Sequence, residues 1–164
     1  YQRLGGFSAM RFGEDIDFST RIFKSGARCR LFPEAWVWHK RRTDLKKFFK
    51  QVHNSGIARI NLTKRHPGTL KLVHLLPAAF TLGLALLLLA APLCPWSLLP
   101  IGVFAALIGT DAALRERSLK VGLIAIAAAL VQLTGYGTGF LRAWWQRCVQ
   151  GKGEFEAFRK NFYK

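Results

Sequence analysis

At 164 residues the chain has room for one domain, or for a small domain plus a membrane anchor, and its 51% hydrophobic content sits beside a formal net charge of +16. A uniform soluble domain rarely combines those two figures, so charge and apolar residues are expected to be segregated along the chain. Cys29, Cys94 and Cys148 are odd in number and far apart, which excludes a metal-binding cysteine spacing and a disulfide framework.

In chain order, residues 1–12 contain Gly5 and Gly6 and show no helical period, so they read as a loop. Glu14 to Ser25 reads as a short helix. Glu14, Asp15 and Asp17 fall in its first turn, where carboxylates oppose the positive end of the macrodipole; Lys24 falls in its last turn and Gly26 just beyond. Next, Ala27, Cys29 and Leu31 alternate with Arg28 and Arg30, the pattern of a half-buried strand, and Pro33 breaks it. Ala35 to Trp38 is a second β-prone run that delivers His39 at its end.

From Thr43 to Ile60 the period becomes helical, with Leu45, Phe48, Phe49 and Val52 on one stripe and Lys46, Lys47 and Lys50 off it. Between Lys40 and Lys71 there are ten Lys or Arg and a single acid, Asp44. A basic amphipathic helix directly before an apolar block is expected to lie in a membrane interface. The alternative is a helix that packs an ordinary core and solvates its basic face.

Residues 75–94 are 20 in number with Thr81 the one plainly polar side chain; at about 1.5 Å per residue they span roughly 30 Å, the hydrocarbon thickness of a bilayer. Pro92 and Pro95 mark a turn and Trp96 suits an interface aromatic. Residues 96–114 form a second apolar span, followed by basic Arg115, Arg117 and Lys120. Residues 121–141 form a third, in which Gly135, Gly137 and Gly139 permit close helix packing. The expected layout is therefore 1–42, a small folded unit; 43–72, the basic helix and linker; 73–141, the membrane region; and 142–164, a basic tail. The positive-inside rule puts the basic helix and the Arg115–Lys120 loop in the cytoplasm and the Pro95 turn outside. A third crossing then puts the basic tail outside, against the same rule. Re-entry of the third segment and simple tolerance of the tail are the two resolutions.

The chemistry-bearing stretch is Gly5-Gly6-Phe7, Gly13-Glu14-Asp15-Ile16-Asp17-Phe18, Arg21, Gly26, and Trp38-His39-Lys40-Arg41-Arg42. Singly, each part has an ordinary reading as a turn, a helix start or a juxtamembrane basic run. In this order, over about residues 1–70, they resemble the second half of the catalytic domain of family 2 glycosyltransferases. The later spans resemble the membrane anchor of bacterial members that build exopolysaccharides or lipid-linked glycans.

The resemblance implies an α/β fold, the C-terminal half of a Rossmann-like GT-A catalytic domain, followed by an α-helical membrane anchor. It implies transfer of a sugar, with inversion, from a nucleotide-diphosphate sugar to a glycan or lipid-linked acceptor. Asp15 would be the base and Glu14 would orient acceptor or base; the Gly5-Gly6 turn would let the backbone approach the donor sugar. His39 would contact a Mg²⁺ or Mn²⁺ ion or the diphosphate, and Lys40, Arg41 and Arg42 would pair with phosphate oxygens. The family's nucleotide-binding half and its Asp-x-Asp metal motif do not precede Gly5, and Asp15-Ile16-Asp17 has that spelling by coincidence. The main metal ligands are thus expected elsewhere, and the fragment alone is not expected to turn over. The expected setting is the bacterial inner membrane, multi-pass, with the catalytic part cytoplasmic and membrane lipid as a partner.

Three other readings compete. A non-catalytic membrane protein could dock its basic part on anionic lipid or a partner, leaving Gly13-Glu14-Asp15 as capping. Nucleic-acid binding suits the charge, but no recognition helix or stacking platform is present, so no nucleic-acid partner is expected. A transporter subunit rests on Asp111 alone.

Overall fold

The computed structural model describes residues 1–39, 44–155 and 158. Among them are five α-helices: α1 (Glu14–Lys24), α2 (Leu45–Arg65), α3 (Leu76–Ala90), α4 (Leu99–Glu116) and α5 (Leu119–Trp144). The described residues contain no strand, so the expected α/β, Rossmann-like class is replaced by an all-helical one. The physical reason lies at residues 27–38. Their alternation suits a strand, but a strand exists only as part of a hydrogen-bonded ladder, and no described segment pairs with them. They run as exposed coil, with Leu31 87%, Val37 84% and Trp38 91% accessible.

The helix α1 forms as its sequence predicts. Gly13 enters it with φ of 83°, three acids fill its first turn, and Gly26 leaves it at φ 74°. Helix α2 is capped by Asp44, whose side chain accepts from the Lys47 amide at 2.9 Å. Ser118 starts α5 in the same way, accepting from the Val121 amide, and the left-handed Arg117 (φ 50°) turns the chain back from α4.

Three segments are long and apolar enough to cross a membrane: Leu72–Ala90, Pro95–Glu116 and Leu119–Val149. Much of their apolar surface is unburied by protein, as at Leu86, Leu89 and Leu107, which is the surface a bilayer would cover. Their bounds differ from the expected 75–94, 96–114 and 121–141. The first ends earlier, and the third continues through Arg142 and Arg147, so the start of the basic tail is helical.

Helix α5 is the spine on which α2, α3 and α4 pack. Its glycines set the distances. Gly135 meets Phe49 and Val52 of α2, Gly139 lies under the His53 carbonyl, and Gly137 lies under Pro77 and Thr81 of α3. From the other side, Gly56 of α2 rests on the backbone of Tyr136 and Phe140. Phe49 and Val52, from the apolar stripe of the basic helix, thus touch α5, while Leu45 of the same stripe stays exposed. Around this contact Ile57, Ala58, Ile60, Ala78, Phe140, Ala143 and Phe158 form the buried core.

The end of α5 and the residues after it fold back onto the same body. Arg147 donates to the Asn61 side chain of α2 at 2.9 Å. Phe158 packs on Phe12 with ring centroids 4.9 Å apart, and its carbonyl accepts from the Arg11 amide.

A side chain at Gly56 or Gly139 must push α2 off α5. Overpacking of this kind costs about 1–3 kcal/mol, so Gly139→Leu and Gly56→Leu should each lower the melting temperature in detergent by roughly 2–12 °C. Gly83→Leu, where nothing lies within 4 Å of an added Cβ, should leave it unchanged.

Candidate functional site

The N-terminus of α1 faces one side of α2 across a cleft of about 540 Å³. Gly13, Glu14, Asp15 and Ile16 form the first wall. The opposite wall is the α2 stripe Lys47, Lys50, Gln51, Asn54 and Arg59, with Ala58 and Leu62 deeper. These positions recur at three- and four-residue steps, so they share one helix face. Tyr136 of α5 closes the end of the cleft.

Glu14 is half-buried and Asp15 is exposed. Among the described residues neither is ion-paired, and neither are Lys47 and Lys50. The two signs of charge thus share a cavity without neutralising one another through direct pairs, which keeps both sets available to a ligand.

Of the residues singled out from sequence, Glu14 and Asp15 line this cleft together. Gly5 and Gly6 do not line it; their turn is tied to α1 by Arg21, which donates to the carbonyls of Leu4 and Gly6. His39 is exposed in the coil after residue 27 and also lies off the cleft. Lys40, Arg41 and Arg42 fall outside the described residues. No three His, Cys, Asp or Glu side chains come together among the described residues, so these residues by themselves do not assemble a metal centre.

Asp17 belongs to a different assembly from Asp15. It is 3% accessible and turned towards the C-terminal end of α2. Its Oδ1 bonds His66 Nε2 at 2.8 Å and its Oδ2 accepts from Arg21 Nε at 3.0 Å. Lys24 Nζ reaches the other His66 nitrogen at 3.3 Å. Burial alone would raise the Asp17 pKa, but the hydrogen bonds with His66 and Arg21 and the Arg21 charge help hold the carboxyl below its ordinary value. Asp17 therefore clamps α1 to the end of α2, and the clamp sets the attitude of Glu14 and Asp15 two and three residues away.

Two parts of this site escape a reading of residue order. The partnership of Asp17 with His66 joins positions 49 apart. The α2 wall carried a legible signal, the polar stripe at helical spacing, but Lys47 and Lys50 read more simply as lipid-facing. In the fold both line the cleft opposite α1 and remain exposed, while Lys46 stays off the cleft.

Comparison with curated proteins finds the pre-mycofactocin glycosyltransferases of Mycobacterium tuberculosis strains CDC 1551 / Oshkosh and ATCC 25618 / H37Rv, each 38% identical to the chain over 65 residues. The match takes in 39% of this chain and only 14% of the length of each relative. It supports glycosyl transfer as the general class. No protein-family profile matches the chain, and no solved structure matches it.

Because the Asp17 pKa is lowered by folding, its stabilising contribution is complete above the ordinary carboxylate value and is lost as the pH falls through the folded-state value. Thermal melts should be flat near neutrality and decline below about pH 4. Asp17→Asn should cost about 3 kcal/mol at neutral pH and shrink that acid limb.

Proposed function

We propose that the chain carries part of the active site of a family 2-type, inverting glycosyltransferase seated at a membrane. The observation that carries this is the cleft itself: two carboxylates at the start of α1 face an unpaired basic stripe on α2, beside a helix long enough to cross a bilayer. The likeness to a glycosyltransferase over 65 residues supports the reaction class.

In this reading Asp15 is the general base. It takes the proton of an acceptor hydroxyl while that oxygen forms a bond to the anomeric carbon of a nucleotide-diphosphate sugar. The bond from that carbon to the diphosphate oxygen breaks, and the diphosphate leaves with the electron pair. Attack opposite the leaving group inverts the anomeric centre. Glu14, one residue away and less exposed, orients the hydroxyl or the base. Cations around the site oppose the charge that develops on the leaving group. A Mg²⁺ or Mn²⁺ ion remains part of the proposal: when bound it would supply Lewis-acid charge stabilisation. His39 is one exposed imidazole, so further ligands would have to come from outside the described residues.

The bacterial inner membrane, with the catalytic part cytoplasmic, suits a nucleotide-sugar donor and the positive-inside rule applied to residues 40–71. One structural fact bears on the number of crossings. Arg147 at the end of α5 bonds Asn61 of α2, and α2 is clamped to α1 through His66. We read both ends of the membrane region as lying on one side, with an even number of crossings, a reading that the contact of Arg147 with Asn61 supports. The place of Lys47 and Lys50 on the cleft wall weighs against a purely lipid-docking role for α2.

Two experiments test the proposal. With the protein expressed from its complete reading frame, Asp15→Asn should lower sugar transfer about 10²–10⁴-fold while membrane insertion is unchanged; undiminished transfer would remove Asp15 from the reaction. Glu14→Gln should raise the acceptor KM more than it lowers kcat. For topology, a membrane-impermeant maleimide should reach Cys29 and Cys148, both exposed, from the same side of sealed vesicles. Labelling from opposite sides would mean an odd number of crossings.

A further inference from the structure

The carboxylates of the cleft owe their position to the backbone on either side of them. Asp15 Oδ1 accepts from the amide of the next residue, Ile16, at 2.8 Å, and neither Glu14 nor Asp15 is ion-paired among the described residues. On the helical side, Asp17 anchors the first turn of α1 to His66. On the other side the chain enters through Gly13 at φ 83°, a conformation open to glycine and costly to most residues. A glycine stiffens a turn little by itself, so the attitude of this one depends on how Arg11 and Phe12 are held.

The chain after α5 holds them. Phe158 is 3% accessible, its ring centroid lies 4.9 Å from that of Phe12, and its carbonyl accepts from the Arg11 amide at 3.3 Å. Arg11 and Phe12 in turn line the cleft directly before Gly13. The approach to Phe158 is pinned to the same body. Gln146 donates to the Gly153 carbonyl at 2.9 Å. Glu154 lies 3.5 Å from Arg65 of α2 and 3.4 Å from Arg147, and the Arg142 guanidinium sits over the Phe155 ring at 4.8 Å. Arg142, Gln146 and Arg147 all belong to the last of the membrane-long segments. Fastened there at its start and packed at Phe158, this run of chain fixes Arg11 and Phe12 against the cleft.

We propose that the chain after α5 is a strap that sets the position of the catalytic turn, with Phe158 as its positioning residue and Glu154 as its latch. This rests on the transfer reading above, in which Asp15 is the base, and names what aims that base. Phe158 does not line the cleft; it acts through the Phe12 ring and the Arg11 amide. Misplacing a reacting group by about 1 Å can cost about 10²-fold in rate, so even a modest slackening of the strap is read in turnover.

Phe158→Ala, Phe158→Leu and Glu154→Gln test this in the protein expressed from its complete reading frame and held in neutral detergent. One readout is hydrogen exchange over residues 11–18. The other is transfer of label from nucleotide-diphosphate hexoses to an extract of the source cells, with kcat and donor KM taken from the donor dependence. Phe158→Ala should speed exchange over residues 11–18 about tenfold while α2 and α5 exchange as before. It should lower kcat about 10–100-fold with donor KM unchanged. Phe158→Leu, which refills most of the volume, should recover most of both effects. Glu154→Gln removes a partly buried charge and little packing, so it folds even where Phe158→Ala does not. It should move both readouts the same way by a smaller factor. Faster exchange throughout α2 and α5 would mean general destabilisation and overturn the strap. So would unchanged exchange over residues 11–18 in the folded variants. Loosened exchange with kcat intact, where Asp15→Asn loses transfer, would overturn the positioning role and leave the base assignment standing. Full transfer by Asp15→Asn would instead sink the base assignment, and the exchange result would then decide by itself whether the strap holds the turn.

Discussion

The close approach of α2 to α5 is the constraint on which the rest of the structure depends. Gly56 on one helix, and Gly135 and Gly139 on the other, remove the side chains that would hold the two backbones apart. Interiors are packed densely enough that one added methyl group at such a contact is felt. At this spacing Phe49 and Val52, from the apolar stripe of α2, lie against Gly135 of α5. The polar stripe of α2 then faces elsewhere, and α1 is there to meet it.

What places α1 there is electrostatic. Asp17 is buried against His66 and Arg21, whose hydrogen bonds favour its ionised form. A buried carboxylate without such partners would be costly, so the pairing is specific: α1 docks at the end of α2 or the charge is stranded. Arg21 carries the restraint one step further by binding the carbonyls of Leu4 and Gly6. Glycine contacts, the Asp17 clamp and the helix start at Gly13 together bring Glu14 and Asp15 across from Lys47, Lys50 and Arg59. The acids are neighbours in sequence; the cations are their neighbours only in the fold.

The packed tail adds a second constraint. Phe158 on Phe12, and Arg147 on Asn61, bring the chain after the last apolar helix back to the helix before the first. Arg147, at the start of the basic tail, thus lies beside the basic helix α2. This arrangement also explains why α5 runs on past its apolar stretch to Trp144, where it has α2 to pack against in place of lipid.

Much of this was legible in residue order, because the signals are local. The acids, Lys24 and Gly26 bound α1 by dipole and capping chemistry. Hydropathy marks the three long apolar segments because each helix satisfies its own backbone, whatever its neighbours do. The pairing of Glu14 with Asp15 on one exposed turn follows from adjacency alone. Strand and site partners are different in kind. Residues 27–38 have the alternation of strands yet form none, since a ladder needs a second segment that no local pattern supplies. Lys47 and Lys50 carry the same charge whether they face lipid or Asp15, and Asp17 reads as part of an acidic triplet until His66, 49 positions on, is seen to reach it. The sequence by itself determined which stretches are helical and which are apolar enough for a bilayer, both properties of consecutive residues. Only the tertiary structure decided which charges share a cleft, because that depends on how closely two backbones approach, and here glycines without side chains make that distance short.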